Sequence, residues 1–343
     1  MQTNSTPLLE NPSPRGPKSV SGYAIQAEGL VKIYGRRSGA PVQALDGLTL
    51  QVKQGEIFGL LGRNGAGKTT LLRILTTLVP PTGGSASVLG HDVAEHSLDV
   101  RKSICVVLQE NAVELYLSVE DNLATYARFH SISRREIPAR SARVMEQFGL
   151  TEYKKQKVID LSGGLKRRVQ VAKVFLVDKP VVFLDEATTG MDPINKRATL
   201  DAIRAQASAG RTIFLTTHIL QEAEELCDTI AIIDRGRLVA SGDLQTIKSL
   251  ASNVFDMTIT FDRLTDTLME EIRRLPTLTL TRKVNTVILS VKGSDVSVVD
   301  IITRLSATHR ILHFEVTSAS LEDVFLELLA QRGTASESGE MRQ

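Results

Sequence analysis

Apolar positions along the chain follow three patterns. The first is a set of short, fully apolar runs, including Gly59-Leu60-Leu61, Ile104-Cys105-Val106-Val107-Leu108, Val181-Val182-Phe183-Leu184 and Ile213-Phe214-Leu215. Runs this short, without alternation, fit strands buried on both faces of a sheet. The second is helical spacing between those runs, as in Thr70 to Leu78. Strands interleaved with helices predict an α/β fold with a largely parallel central sheet. Residues 112 to 176 carry no strong strand signal and read as a mostly helical subdomain.

The third pattern begins after about Ser252. Phe255, Met257, Ile259 and Phe261 alternate with Asp256, Thr258 and Thr260, which predicts a half-buried strand. A helix is expected over Leu264 to Leu275, then strands on either side of Lys283-Val284-Asn285, a helix over Val296 to Leu305 and a strand over Ile311 to Val316. That order, βαββαβ, predicts a small second domain of α+β type. A last helix, Leu321 to Leu329, opens on a capping box formed by Ser320 and Asp323. Its Leu321, Val324, Phe325 and Leu328 share one face, which reads as the lid of a small core. The expected boundaries are 25–248 for the first domain and 252–331 for the second. Residues 1–24, with Pro7, Pro12, Pro14 and Pro17, read as a disordered tail, and 332–343 as a loose polar end.

Composition narrows the functional classes. Of 343 residues, 42% are hydrophobic and 23% charged, enough for a substantial core. Formal net charge is +2, too little to hold nucleic acid by field alone. The two cysteines, Cys105 and Cys227, are far apart, which suits a reducing compartment and excludes a disulfide framework. No apolar run approaches the roughly 18 to 20 residues that span a bilayer. Any membrane role therefore needs another chain to do the crossing. Arg134-Arg135 and Arg167-Arg168 are short basic pairs and read as solvated helix faces.

Two stretches carry chemistry. Gly62-Arg63-Asn64-Gly65-Ala66-Gly67-Lys68-Thr69 follows a strand and opens a helix, the context that a phosphate-binding loop requires. Its glycines let backbone N–H groups turn toward an anion, and the helix aims its positive end there. Lys68 can reach the β- and γ-phosphate oxygens, and the Thr69 hydroxyl can ligate Mg²⁺. Thr70 follows on the same turn. Alone, the loop indicates ATP or GTP. The second stretch is the strand Val181 to Leu184, which ends in Asp185 and Glu186. Asp185 can hold Mg²⁺, and Glu186 can polarise an attacking water. Neighbouring strand residues face opposite ways, but the chain turns at a strand end.

Leu161-Ser162-Gly163-Gly164-Leu165 lies about 20 residues before the acidic pair. Together with the loop and the pair, this resembles the ABC-type ATPases over residues 25 to 248. The resemblance implies a P-loop NTPase fold with a helical subdomain, and two copies packed head to tail around two MgATP. Ser162, Gly163 and Gly164 of one copy would then cap the ATP of the other. Gln109 is similar to the glutamine near Mg²⁺ that senses the membrane subunit. His218 is similar to the switch histidine that contacts the γ-phosphate and helps to hold Glu186. Asp192, in Gly190-Met191-Asp192-Pro193, would link the two sites, and Tyr34, placed just before the sheet, would stack on adenine. Two departures stand out: Leu165 replaces the common glutamine, and Ala187 stands where proline is frequent. Neither removes a phosphate ligand.

Leu165-Lys166-Arg167-Arg168 and the closing Leu321-Glu322-Asp323-Val324-Phe325-Leu326-Glu327-Leu328 are similar to the exporter ATPases of the daunorubicin-resistance type. That implies efflux of a drug-like or lipid-like substrate through a separate permease, with the protein peripheral on the cytoplasmic face. Glu114 to Asn122 would be the contact surface. The alternatives are an importer ATPase and a soluble ABC ATPase. The soluble types usually carry a second cassette or a long coiled-coil insertion; this chain has one phosphate loop and no heptad run between Gln109 and Ser162. No nucleic-acid partner is expected.

Overall fold

The computed structural model describes residues 22–35, 40–109, 112–250, 254–292, 297–318, 320–326 and 328. The expected tails at 1–24 and 332–343 lie largely or wholly outside them. The chain opens with two long antiparallel strands, β1 (Tyr23–Tyr34) and β2 (Val42–Lys53), followed by β3 (Ile57–Leu61) and α1 (Lys68–Leu75). Next come β4 (Gly83–Val88), β5 (His91–Asp92), α2 (Ser97–Ser103) and β6 (Ile104–Val107). A helical stretch holds α3 (Val119–Phe129), α4 (Ile137–Gln147) and α5 (Gly163–Val174). Then follow β7 (Val181–Asp185), α6 (Pro193–Ser208), β8 (Thr212–Thr217), α7 (Leu220–Leu226), β9 (Thr229–Asp234), β10 (Arg237–Gly242) and α8 (Leu244–Leu250).

Two sheets build the larger unit. One is antiparallel, in the order β2-β1-β4-β5. The other has six strands in the order β10-β9-β3-β8-β7-β6, parallel except where β10 pairs with β9. Alternation within the parallel strands sends each residue to one of two cores. Phe58, Leu60, Phe183 and Phe214 face the antiparallel sheet and α1. Ile57, Val182, Leu184, Ile213 and Leu215 face the helical stretch and α6. The Phe58 and Phe183 rings lie 5.3 Å and 5.5 Å from the Phe214 ring. The helix expected to run to Leu78 stops at Leu75, because Thr77 turns left-handed (φ 63°) and leaves Leu78 exposed. Tyr34 is not ahead of the sheet, as its position suggested. It is the last residue of β1 and pairs with Val42.

The remaining elements are β11 (Val254–Phe261), α9 (Asp266–Arg273), β12 (Thr277–Lys283), β13 (Thr286–Lys292), α10 (Val298–Thr308) and β14 (Ile311–Ser318). They form an antiparallel sheet in the order β12-β13-β11-β14. Its buried face, Met257, Ile259, Phe261, Val287, Leu289 and Val291, packs against Leu268, Ile272, Ile301 and Leu305 of the two helices. Residues 321–326 are helical and carry the expected box: Ser320 N–H donates to Asp323 Oδ2 (3.0 Å), and Asp323 N–H to Ser320 Oγ (3.2 Å).

That last helix does not lie on the small domain's core. Leu321 and Val324 are buried with Leu61, Ala223, Ile230, Ile232 and Ile247, and Leu321 N–H donates to Glu224 of α7 (3.1 Å). The chain crosses the second domain and returns to the first. Sequence periodicity identifies an apolar face but not its partner. Leu321→Ala is expected to cost about 3 kcal/mol, in the range for a buried leucine. Hydrogen exchange should then quicken in α7 and β10. Faster exchange confined to residues 254–318 would contradict this packing.

Candidate functional site

The loops at the carboxyl ends of β3, β6, β7 and β8 carry most of the candidate residues. Parallel pairing of the last residues, Leu61 with Thr217 and Asp185 with Thr216, sets these ends level. β3 leads into Gly62–Gly67 and α1. A Cβ at Gly67 would lie 2.6 Å from the Ala44 oxygen of β2, and its φ is 110°, so only glycine fits. A Cβ at Gly62 would lie 2.5 Å from the Ile233 oxygen. The loop is thus pressed onto β2 and β9. Arg63, Asn64 and Gly65 are exposed and Ala66 buried. Gly67 gives α1 no capping side chain, and the first turn holds no acidic residue, which leaves its N–H groups for an anion. Lys68 is buried; its Nζ donates to the carbonyls of Gly62 (2.7 Å) and Arg63 (3.2 Å). Burial pushes its pKa below the usual lysine value, and the Glu186 and Asp185 carboxylates partly offset that. Thr69 and Thr70 are half-buried on the same turn.

Asp185, the last residue of β7, is buried and accepts a hydrogen bond from Thr216 of β8. Glu186 then takes φ 49°, a left-handed backbone that costs a non-glycine residue roughly 1–2 kcal/mol. Its N–H donates to Thr216 O (3.0 Å). On its carboxylate converge His218 Nδ1 (3.0 Å from Oε1), Gln109 Nε2 (3.3 Å from Oε2) and Thr189 Oγ1 (3.5 Å from Oε2). An ionised carboxylate only accepts, so Nδ1 is the donor in this contact. Glu186, His218 and Gln109 come together, beside Asp185.

Ser162, Gly163 and Gly164 do not join them. Ser162 caps α5, its Oγ accepting from Leu165 N–H (3.3 Å). Gly164 lies against Met191, Asp192 and Asn195. Helix α5 packs on β6, at the sheet edge, and on α3, α4 and α6. Strand β6 is separated from β3 by β7 and β8. Three strand spacings are about 14 Å, which keeps the Ser162 motif away from the chain's own phosphate loop. Asp192 caps α6, with Oδ1 accepting from Asn195 and Ile194 N–H (3.0 Å and 3.1 Å), and the bonds from the Asn195 backbone and side chain above all hold its carboxyl below the usual range. Tyr34 is half-buried at the end of β1, with Lys32 Nζ 5.2 Å from its ring centre. Its partner Val42 lies two residues before Ala44, which abuts the loop.

Two features were not legible beforehand. Arg167 and Arg168, expected on a solvated face, are both buried, whereas Arg134 and Arg135 are exposed as expected. Sequence spacing from Ser162 places both on α5, but the faces it buries are set by α3, α4, α6 and β6. The second is Glu222 of α7, 1% exposed, which accepts from Thr188 and from Thr217 (2.9 Å) and pairs with Lys196 (2.8 Å). It ties the loop after Glu186 to the residue before His218. No motif marks a helical Glu as such a hub.

A glycine cradle, a buried lysine, a paired Asp-Glu at a strand end and a histidine on that Glu define a P-loop nucleoside-triphosphatase of the cassette type. The ABC transporter family profile matches residues 45–189. The chain is 38% identical over 313 residues to the daunorubicin/doxorubicin resistance ATP-binding protein of Streptomyces peucetius, covering 89% of this chain and 92% of that one. It is 30% identical to the linearmycin resistance ATP-binding protein of Bacillus subtilis, over 89% and 97% of the two chains. A dimeric ATP-binding cassette in a post-hydrolysis state, with ADP and Pi, superposes with a TM-score of 0.59, covering 64% of this chain and 98% of that one at 22% identity, which speaks to the fold. The chain belongs to the ABC transporter ATP-binding proteins, and as a member of that family it binds and hydrolyses ATP. No helix among the described residues is long and apolar enough to cross a membrane.

Lys196→Met would leave the Glu222 carboxylate buried without its cation. Removing one partner of such a pair is expected to cost about 3 kcal/mol, seen as a lower urea midpoint at an unchanged slope. An unchanged midpoint would show that the pair contributes nothing.

Proposed function

We propose that this chain is the ATPase subunit of an exporter, working as a head-to-tail pair and driving a drug-like or lipid-like substrate through a separate permease. The observation that carries the pairing is the distance of Ser162–Gly164 from the chain's own phosphate loop. Export is supported by the two resistance proteins, whose similarity covers nearly their whole lengths. The protein would sit peripherally on the cytoplasmic face. Glu114 to Asn122, with Leu115 and Tyr116 exposed, would meet the permease, and no nucleic acid is involved.

In this reading the ATP phosphates lie on Gly62, Arg63, Asn64, Gly65, Ala66 and Gly67 and the first turn of α1, with Thr69 and Thr70. Lys68 leaves the loop carbonyls for the β- and γ-oxygens. Tyr34 stacks on adenine. The donor set Thr69, Gln109 and Asp185 suits Mg²⁺, which would neutralise phosphate charge when bound. Glu186 polarises the attacking water, and His218 and Gln109 hold its carboxylate in place. From the second copy, Ser162, Gly163 and Gly164 present a hydroxyl and a helix N-terminus to the γ-phosphate. Asp192 links the two sites. ATP makes contacts that exist only in the closed pair, so it shifts the population toward closure, and hydrolysis removes them.

Glu186→Gln keeps the side-chain shape and removes the base. Turnover should fall at least about 100-fold with ATP affinity retained. ATP should then hold the variant as a dimer on size exclusion. Turnover at the native rate would remove Glu186 from the mechanism, and a variant that stays monomeric with ATP would remove the clamp.

A further inference from the structure

The buried guanidinium of Arg167 lies where the loops after β6 and β7 meet. Its Nε donates to Ala187 O (3.1 Å). Its Nη1 lies within reach of Leu108 O (2.8 Å), Gln109 O (3.2 Å) and Gln170 Oε1 (2.9 Å). Its Nη2 lies within reach of Asp185 O (2.7 Å) and Glu186 O (3.0 Å). Five carbonyls from the ends of β6 and β7 thus converge on one cation. They belong to the backbone that carries Gln109, Asp185 and Glu186. Gln170 fixes the arrangement from the same helix, donating to Leu108 O (3.1 Å).

The position of Arg167 in the helix gives the cluster its meaning. Arg167 lies early in α5, whose N-terminus is the Ser162–Gly164 motif. The motif and the guanidinium are therefore two ends of little more than one rigid turn. Any shift of α5 must either move the ends of β6 and β7 with it or break hydrogen bonds to a buried charge. Breaking them is expensive, because an unpaired buried guanidinium loses its compensation for desolvation. The left-handed Glu186 backbone needs such support, since strain persists only where its surroundings over-determine it.

We infer that Arg167 is a positioning residue that transmits engagement of the Ser162 motif to the Gln109 and Glu186 of the same chain, and so couples the two half-sites of the pair. This rests on the roles given above to Ser162 and Glu186. Lysine cannot replace it. An ammonium offers three donors at one point, whereas the planar fork of arginine spans separated acceptors.

The test uses the full chain with Arg167→Lys, measuring turnover against ATP and equilibrium binding of a fluorescent ATP analogue. The expected result is kcat lowered at least about tenfold, with nucleotide affinity within about twofold of native, the split that marks loss of transition-state positioning. In a Glu186→Gln background the same change should add much less than its single effect, because both act on one group. Native kcat, or kcat and affinity falling together, overturns the proposal. Gln170→Met removes the orienting amide and keeps the guanidinium. It should lower kcat about threefold with binding intact, and it decides the matter if the lysine variant does not fold; an unchanged kcat then overturns the proposal. If Glu186→Gln itself leaves turnover native, the proposed role of Glu186 fails. If that variant is slow and Arg167→Lys is not, only the coupling fails.

Discussion

Two consecutive carboxylates can serve one site only if strand alternation is broken between them. Here the break is the left-handed backbone of Glu186, with φ 49°. Asp185 keeps the strand conformation and points into the structure, held by Thr216. Glu186 swings to where His218 and Gln109 reach it. The unfavourable conformation is held on both sides, by the Thr216 carbonyl that accepts its N–H and by the Arg167 fork that takes its oxygen. Without that turn, the histidine and glutamine would have no common carboxylate to hold.

The same strand ends explain why the proposed site needs a second copy. The phosphate loop belongs to β3, in the middle of the sheet, and the Ser162 motif to a helix beyond β6, at its edge. A rigid parallel sheet fixes that separation. What the fold does allow is communication within one chain. Glu222 ties the loop after Glu186 to the segment before His218, and Arg167 ties α5 to the ends of β6 and β7. The chemistry stands on a network of buried polar groups, each expensive to break.

Much of this was legible from sequence, for local reasons. Fully apolar runs marked β3, β6, β7 and β8, because a strand covered on both faces buries successive side chains and is apolar along most of its length. The phosphate loop was legible because its glycines answer local constraints: positive φ at Gly65 and Gly67, and close approach at Gly62 and Gly67. The alternation over Phe255 to Phe261 marked β11. What escaped was set by partners distant in sequence. Arg167 and Arg168 look like any surface basic pair until α5 is packed. The closing helix shows an apolar face, yet its partner is Leu61 and α7 rather than the adjacent sheet. The long antiparallel pair β1 and β2 carries bulges that blur its alternation.

The central claim is that each chain holds half of each site. Turnover per subunit, measured at saturating ATP across a dilution series with the dimer fraction followed in parallel by sedimentation, tests it most directly. The account predicts that specific turnover falls with dilution in step with the dimer fraction. Constant turnover per subunit, after the protein has become mostly monomeric, would contradict it.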